Sequence, residues 1–325
     1  MILERARTTL APYRARVRGS YNRALMRVRG GFRNGSHVVP YHAGDRGNQV
    51  IREFLEGDDP AMIARYGDVE LKAISSFLSG ASPQELYAHL QHLGRSAGFF
   101  PVRSDLFARF VEVYEQAARE MDCLAIWNFE QGRWDMEERM FRDYSPNAAL
   151  VSIRSLESWL FADPWTYSLR GRRVLVVHPF EESIRQQYAI RTRLFADNRV
   201  LPQFEALLTL KAVQSVAGNM TSYDTWFDAL DDMCSEIESK DFDVALIGAG
   251  AYGLPLAACV KRLGKKAVHM GGVTQILFGI VGRRWERPIP GGYPPLNRFF
   301  NNNWTRPLPQ ETPPSFESID GGAYW

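Results

Sequence analysis

Apolar and polar positions along this chain follow two rhythms: short unbroken apolar runs, and longer stretches with apolar residues three or four apart. The clearest runs are Val244 to Ile247 and Arg173 to His178, the form taken by strands buried on both faces of a parallel sheet. Ala61 to Tyr66, Cys123 to Trp127, Leu150 to Ile153 and Ala267 to Met270 read the same way. Helical spacing predicts helices over Asn48 to Leu55, Leu71 to Leu78, 84 to 94, 105 to 120 (capped by Ser104-Asp105) and Leu156 to Phe161. Further helices are expected from Ser183 to about Leu194, over Trp226 to Ser239, and over Leu254 to Leu263, with Pro255 in the first turn and Gly264 as the stop. Val213 to Ala217 reads as a short piece ahead of them. Strands alternating with helices predict an α/β protein with a mainly parallel sheet flanked by helices.

In such a sheet ligands bind beyond the carboxyl ends of the strands. Four stretches fall at predicted strand ends: Gly67-Asp68-Val69-Glu70, His178-Pro179-Phe180-Glu181, Gly248-Ala249-Gly250 and His269-Met270-Gly271-Gly272. If one sheet holds them all, they converge on one site.

The spacing Gly248-x-Gly250-x-x-Gly253 matches the dinucleotide fingerprint, which wants an acidic residue about 20 positions on to hold a ribose. That place is taken by His269-Met270-Gly271-Gly272, with no carboxylate. Three readings stand: an NAD(P)- or FAD-dependent oxidoreductase, a turn serving packing alone, and the favoured one, a cradle for an anion or nucleotide diphosphate. Asp68 and Glu70, two positions apart, make a hard oxygen half-shell for Mn²⁺ or Mg²⁺ if the segment is extended. Otherwise Asp68 is a helix N-cap and Glu70 a first-turn partner of the helix dipole. His178 and His269 are placed to hydrogen-bond a phosphate or sugar, or to take a proton, and equally to be structural. Glu181 is the candidate carboxylate base or a helix cap; Lys211 and Gln214 are weaker donor contacts. Tyr252 is read either as a stacking surface for a base or sugar or as a packed aromatic.

Charge adds a division that the periodicity does not show. The chain carries +2 overall, yet the first 34 residues hold nine arginines against Glu4, a segment of +8 that leaves −6 for the rest. This arm, interleaved with apolar residues, suits the anionic inner face of a membrane; nucleic acid is not expected, because the body carries the opposite sign. The expected division is an arm over 1–34, an α/β domain over 35–285, and a Pro-rich, aromatic tail over 286–325 that wraps the body. The aromatic residues of 128–147 read as a lid or acceptor-binding insert. Cys123, Cys234 and Cys259 lie far apart with no CxxC pair, as in a reduced cytoplasmic protein, and no apolar run reaches the ~20 residues of a membrane helix.

Arg65-Tyr66-Gly67-Asp68-Val69-Glu70 resembles the Arg-Phe/Tyr-Gly-Asp-Gly-Glu signature of bacterial glycosyltransferases of the GT-D fold. The resemblance continues at His178-Pro179-Phe180, through Gly248 to Leu256, at His269 to Gln275, and at the closing Gly321-Gly322-Ala323-Tyr324-Trp325. Val69 stands where the signature has Gly, which narrows the backbone's approach to phosphates. The resemblance implies a cytoplasmic, metal-dependent enzyme moving a sugar from a nucleotide diphosphate, most simply a UDP-sugar, to a glycan or glycolipid acceptor. It implies that Asp68 and Glu70 hold Mn²⁺ or Mg²⁺. Arg65, Tyr66, Gly67, Gly248, Gly250, Tyr252, Gly253, His269, Gly271, Gly272 and Gln275 are then expected around the donor. Besides an oxidoreductase, a non-catalytic partner in polysaccharide assembly is the remaining alternative.

Overall fold

The computed structural model describes residues 30–34, 36–127, 134–286, 296–319 and 321–325. The arginines up to residue 29 and residues 128–133 of the aromatic insert lie outside the described residues.

Strands β1 (Gly31–Asn34) and β2 (His37–His42) form an antiparallel hairpin, so the expected boundary at residue 34 falls inside it. Phe32 anchors the hairpin and is fully buried. Helix α1 (Gly44–Glu56) leads into β3 (Ala61–Ala64), then α2 (Asp68–Leu78), α3 (Pro83–Ala97) and α4 (Ser104–Arg119). The expected Ser104-Asp105 cap is not made: Arg103 holds the N-cap position, and Asp105 pairs with it instead. After β4 (Cys123–Ile126) come α5 (Trp134–Tyr144), which occupies much of the aromatic insert, and β5 (Ala149–Ser152). The helix expected over Leu156 to Phe161 is two 3₁₀ turns, Ile153–Leu156 and Ser158–Leu160, because Ser152 caps the first and Glu157 leaves helical geometry.

Next follow β6 (Arg173–His178), α6 (Glu181–Ala189), β7 (Ala206–Lys211) and α7 (Trp226–Glu238). Strand β7 escaped the sequence reading, which set its short piece at 213–217. It is an edge strand bonded only to β6 and half-buried over most of its length, so its pattern is weaker than that of the central runs. The chain closes with β8 (Val244–Ile247), α8 (Gly253–Arg262), β9 (Lys266–His269), and the short α9 (Thr274–Leu277) and α10 (Arg283–Glu286).

One nine-stranded sheet runs in the order β1-β2-β5-β4-β3-β9-β8-β6-β7, parallel except at the hairpin. Alternate residues of each strand feed separate cores. Met62 and Ala64 of β3 join the core under α2, α3, α4, α5, α7 and α8, while Ala61 and Ile63 join the one under α1, α6 and α9. Among the described residues of the Pro-rich stretch, Leu296, Ile319 and Trp325 are buried in that second core.

The connectivity defines where a ligand can enter. The chain builds outward from β3 to β4 and β5, restarts at β6, and works back to β9 beside β3. The connection after β3 then goes to one face of the sheet (α2) and that after β9 to the other (α9). A crevice opens between them at this topological switch point. Among the described residues no helix is long and apolar enough to cross a membrane.

Candidate functional site

The carboxyl ends of β3, β6, β8 and β9 border one cavity of about 770 Å³. Arg65, Gly67, Asp68 and Glu70 line it from β3, His178 and Phe180 from β6, Gly248 and Gly250 from β8, and Gly271, Gly272 and Gln275 from β9. The four stretches expected to converge do so. The turn after β5 adds Arg154 and Glu157, and the tail adds Tyr324 and Trp325.

Gly67, not Asp68, is the N-cap of α2; its extended backbone lets the chain leave the strand and enter the helix within one residue. Asp68 and Glu70 sit in the first helical turn, where the dipole favours carboxylates. Asp68 Oδ2 accepts from Lys72 Nζ at 3.1 Å, a half-exposed pair. The Glu70 carboxylate folds back over Gly67 into space that any Cβ there would fill. Burial raises its proton affinity, and the Arg65 guanidinium acts in the opposite direction. Arg65 lies across Gly271, which carries φ +65° and has no Cβ to collide with the guanidinium. The same guanidinium stands 5.3 Å from the ring centre of Trp127, whose Nε1 donates to the Tyr66 carbonyl at 2.7 Å. The ends of β3, β4 and β9 are thereby tied together.

The glycine bend is explained first by packing. A Cβ at Gly248 would come within 2.7 Å of the Gly271 carbonyl, His178 Cδ2 and Thr274 Oγ1, so the end of β6 and the segment after β9 leave it no room. Gly250, at φ +53°, is approached by the Ala97 carbonyl at 2.8 Å from where a Cβ would sit. Gly253 abuts the His269 ring, allowing α8 to lie close on β9. Gly248 and Gly250 also face the cavity; Gly253 does not.

Several expected donor contacts are elsewhere. Tyr252 is buried and stacked on Trp226 with ring centres 5.0 Å apart, which settles it as a packed aromatic. Tyr66 is fully buried in the core. His269 is buried and does not line the cavity; burial first, and the Arg65 charge second, hold its ring well below the usual histidine range. Glu181 does not line the cavity: it accepts from Thr209 Oγ1 at 2.6 Å and pairs with Arg185 at 2.8 Å. Lys211 is exposed at the end of β7 and absent from the lining, whereas Gln214 is part of it.

His178 does line the cavity, and burial pushes its pKa down to about 3. Its Nδ1 accepts from the Phe180 backbone N–H at 3.0 Å. The neutral ring therefore carries its proton on Nε2, which makes it a hydrogen-bond donor rather than a base. Gln275 donates through Nε2 to the carbonyls of Ile280 and Tyr324, 3.1 Å each, knitting the tail to the rim. Its Oε1 is buried without a hydrogen bond.

Among the described residues no three of His, Cys, Asp or Glu form a ready-made cage for a metal. The donor set at β3 fits a hard divalent ion of the kind that takes one or two carboxylates and completes its shell with substrate phosphates and water. Asp68 and Glu70 open helix α2 rather than an extended segment, so the half-shell expected of extended backbone gives way to two carboxylates of a helical turn, each lining the cavity. A dinucleotide fits less well, since β9 ends at His269, is followed by Met270, and offers no acid to a ribose.

Sequence reading passed over Glu157 and Arg154. Their only signal was position, directly after the predicted strand Leu150 to Ile153, at the same rim as the stretches that were chosen.

The fold and cavity define a doubly wound α/β protein with a site at its switch point. No family model matches the chain, and no curated protein does. Among solved structures it is similar to a selenomethionine-substituted structure of domain of unknown function 1792 and to a domain 1792 structure described as a distinct glycosyltransferase fold. Each shows 15% identity and a TM-score of 0.42, over 83% of this chain and 92% of the other. It is also similar to a glycosyltransferase of the same domain type from Streptococcus sanguinis, at 12% identity and a TM-score of 0.39, over 83% and 96%.

Proposed function

We propose that this chain is a metal-dependent glycosyltransferase that moves a sugar from a nucleotide-diphosphate donor, a UDP-sugar, to the hydroxyl of a glycan or glycolipid. Surface polysaccharide or glycoconjugate assembly is the setting, with the arginine-rich arm resting on the inner face of the membrane. One observation carries this reading: Asp68 and Glu70 at the end of β3 and the Gly248–Gly250 bend at the end of β8 border the same cavity. The resemblance of Arg65 to Glu70 to the Asp-x-Glu signature supports it.

Asp68 and Glu70 would hold Mn²⁺ or Mg²⁺, which when bound supplies positive charge against the departing diphosphate. Arg65 adds a fixed positive charge, pinned over Gly271 and beside Trp127. His178 offers its Nε2–H to an anionic oxygen without competing for its proton. Trp127 and Tyr324, half-buried in the wall, give the sugar flat apolar surfaces.

The test is a donor screen: purified chain, a panel of nucleotide sugars, Mn²⁺, and detection of released nucleotide. UDP with Mn²⁺ is expected to raise the melting temperature, while NAD(P) and FAD leave it unchanged. Asp68→Asn is expected to lower nucleotide release roughly 100-fold or more with the melting temperature preserved. Undiminished turnover by that variant removes the assigned metal role, and a shift with NAD(P) or FAD alone installs the oxidoreductase instead. A chain that binds no nucleotide at all fits the non-catalytic partner.

A further inference from the structure

The turn after β5 brings a second carboxylate to the cavity, away from the pair at β3. Glu157 lines the wall and is 7% exposed. Its Oε1 accepts from Arg154 Nη1 at 2.9 Å, while Oε2 is buried with no hydrogen-bond partner. A buried carboxylate oxygen left unsatisfied is uncommon, and in a cavity wall it marks a place where a ligand donor belongs. Strand β4 separates β5 from β3 in the sheet, so Glu157 and the pair Asp68 and Glu70 reach the one cavity from beyond two strands about 10 Å apart.

We infer that Glu157 is the base of the transfer, taking the proton of the acceptor hydroxyl at Oε2; this rests on the glycosyl-transfer reading above. The acceptor O–H bond breaks and its proton passes to Glu157. The acceptor oxygen bonds to the anomeric carbon as the carbon–oxygen bond to the diphosphate breaks, and the diphosphate leaves with the electron pair. A base across the ring from the leaving group makes this a single displacement, with inversion at the anomeric centre.

The surroundings suit the task. Burial pushes the Glu157 carboxyl up to about 7, with Arg154 pulling it back, so it exchanges protons near neutrality. Among the described residues Arg154 is the charge that acts on it. Strands β4 and β5, packed on this turn, carry no charged residue, and on α1 Arg46 pairs with Glu53, and Arg52 with Glu56 and Asp163. The other charges of the cavity wall, among them Arg65, Asp68, Glu70 and Arg284, come from β3 and the tail side.

Glu157→Gln keeps an acceptor for Arg154 and removes the base; Glu157→Asp keeps the base and shortens its reach. With UDP-glucose, UDP-galactose and their N-acetyl forms as probes and Mn²⁺ present, the Gln variant is expected to lose transfer roughly 10²–10⁴-fold. Its calorimetric affinity for UDP should equal the wild type's, and the acidic limb of the kcat/KM profile near pH 7 should vanish. The Asp variant should recover part of the rate with that limb intact, and the product should carry the inverted anomer. Transfer by the Gln variant within about threefold of wild type, a surviving acidic limb, or a retained anomer overturns the role of Glu157 while leaving the transferase standing. Failure of the wild type to bind UDP or turn over any probe overturns the transferase itself, and the base with it.

Discussion

Two helices begin at the same rim of the sheet with nearly the same local chemistry, and they have different fates. Helix α2 follows β3 with Asp68 and Glu70 in its first turn; α6 follows β6 with Glu181 and Glu182 in its own. At α6 the exposed amides are already taken. The buried carboxylate of Glu311, in the tail, accepts from the N–H groups of Glu182 at 2.8 Å and Ser183 at 3.2 Å, and also bonds the Ser183 hydroxyl. An incoming phosphate at that helix end would meet a like charge. At α2 the carboxylate at the helix start is its own: Glu70 folds back over the N-cap Gly67 and accepts from its own backbone N–H, and with Asp68 it lines the cavity. What separates the two helix ends is the source of the carboxylate: α6 takes it from a residue more than a hundred positions away, while α2 takes it from its own first turn, beside the cavity.

The largest effect should come from removing the distant carboxylate. Glu311→Ala strips a buried carboxylate from three amides, those of Glu182, Ser183 and Leu308, and a hydroxyl, and is expected to lower unfolding free energy by about 3 kcal/mol. Urea denaturation with an unchanged m-value checks this, and Glu311→Gln should lose less. A variant as stable as the parent would mean the contrast between the two helix ends is not energetic.

The two strand ends should also titrate in opposite senses. His178 is held neutral, with its folded pKa down at about 3 against an ordinary 6.5. Between those values the unfolded chain binds a proton that the folded one refuses, so stability is lost as pH falls below 6.5, by about 2 kcal/mol at pH 5. Glu70 works the other way: its folded pKa is raised, so its burial tells against the fold as pH rises through its ordinary range. His178→Asn places Oδ1 where Nδ1 accepts from Phe180 and removes the titrating ring. It should flatten the stability profile between pH 5 and 7; an unchanged slope would assign the acid sensitivity elsewhere.

How much of this could be read in advance follows the same divide. Val244 to Ile247 and Arg173 to His178 were legible to the residue, because central parallel strands are apolar on both faces and local composition suffices. So was the convergence of the four strand ends, which follows once one sheet holds them. The β1–β2 hairpin was missed because His37–His42 is largely exposed and carries little apolar pattern, and β7 because an edge strand needs burial on one flank only. Tyr252 and Gly253 were drawn to the ligand by motif spacing, yet their partners Trp226 and His269 come from other elements. Glu157 and Glu311 were illegible for the converse reason. Each is one acid among many in the sequence, and only the fold buries it.

The smallest expected effect sharpens the comparison most at α2. Asp68 pairs with Lys72 one helical turn on, with side chains 27% and 40% exposed. Pairs of this spacing and exposure contribute about 0.3–0.5 kcal/mol and weaken with salt. Lys72→Ala is therefore expected to change stability by no more than about 0.5 kcal/mol, with the difference shrinking further in high salt. Because the lysine is a competing cation rather than a structural anchor, the same variant should bind UDP with Mn²⁺ at least as tightly as the parent. A loss of about 2 kcal/mol or more, insensitive to salt, would make Asp68 a structural residue of α2. It would then resemble Glu311 at α6, a carboxylate that anchors a helix end rather than one that meets a ligand.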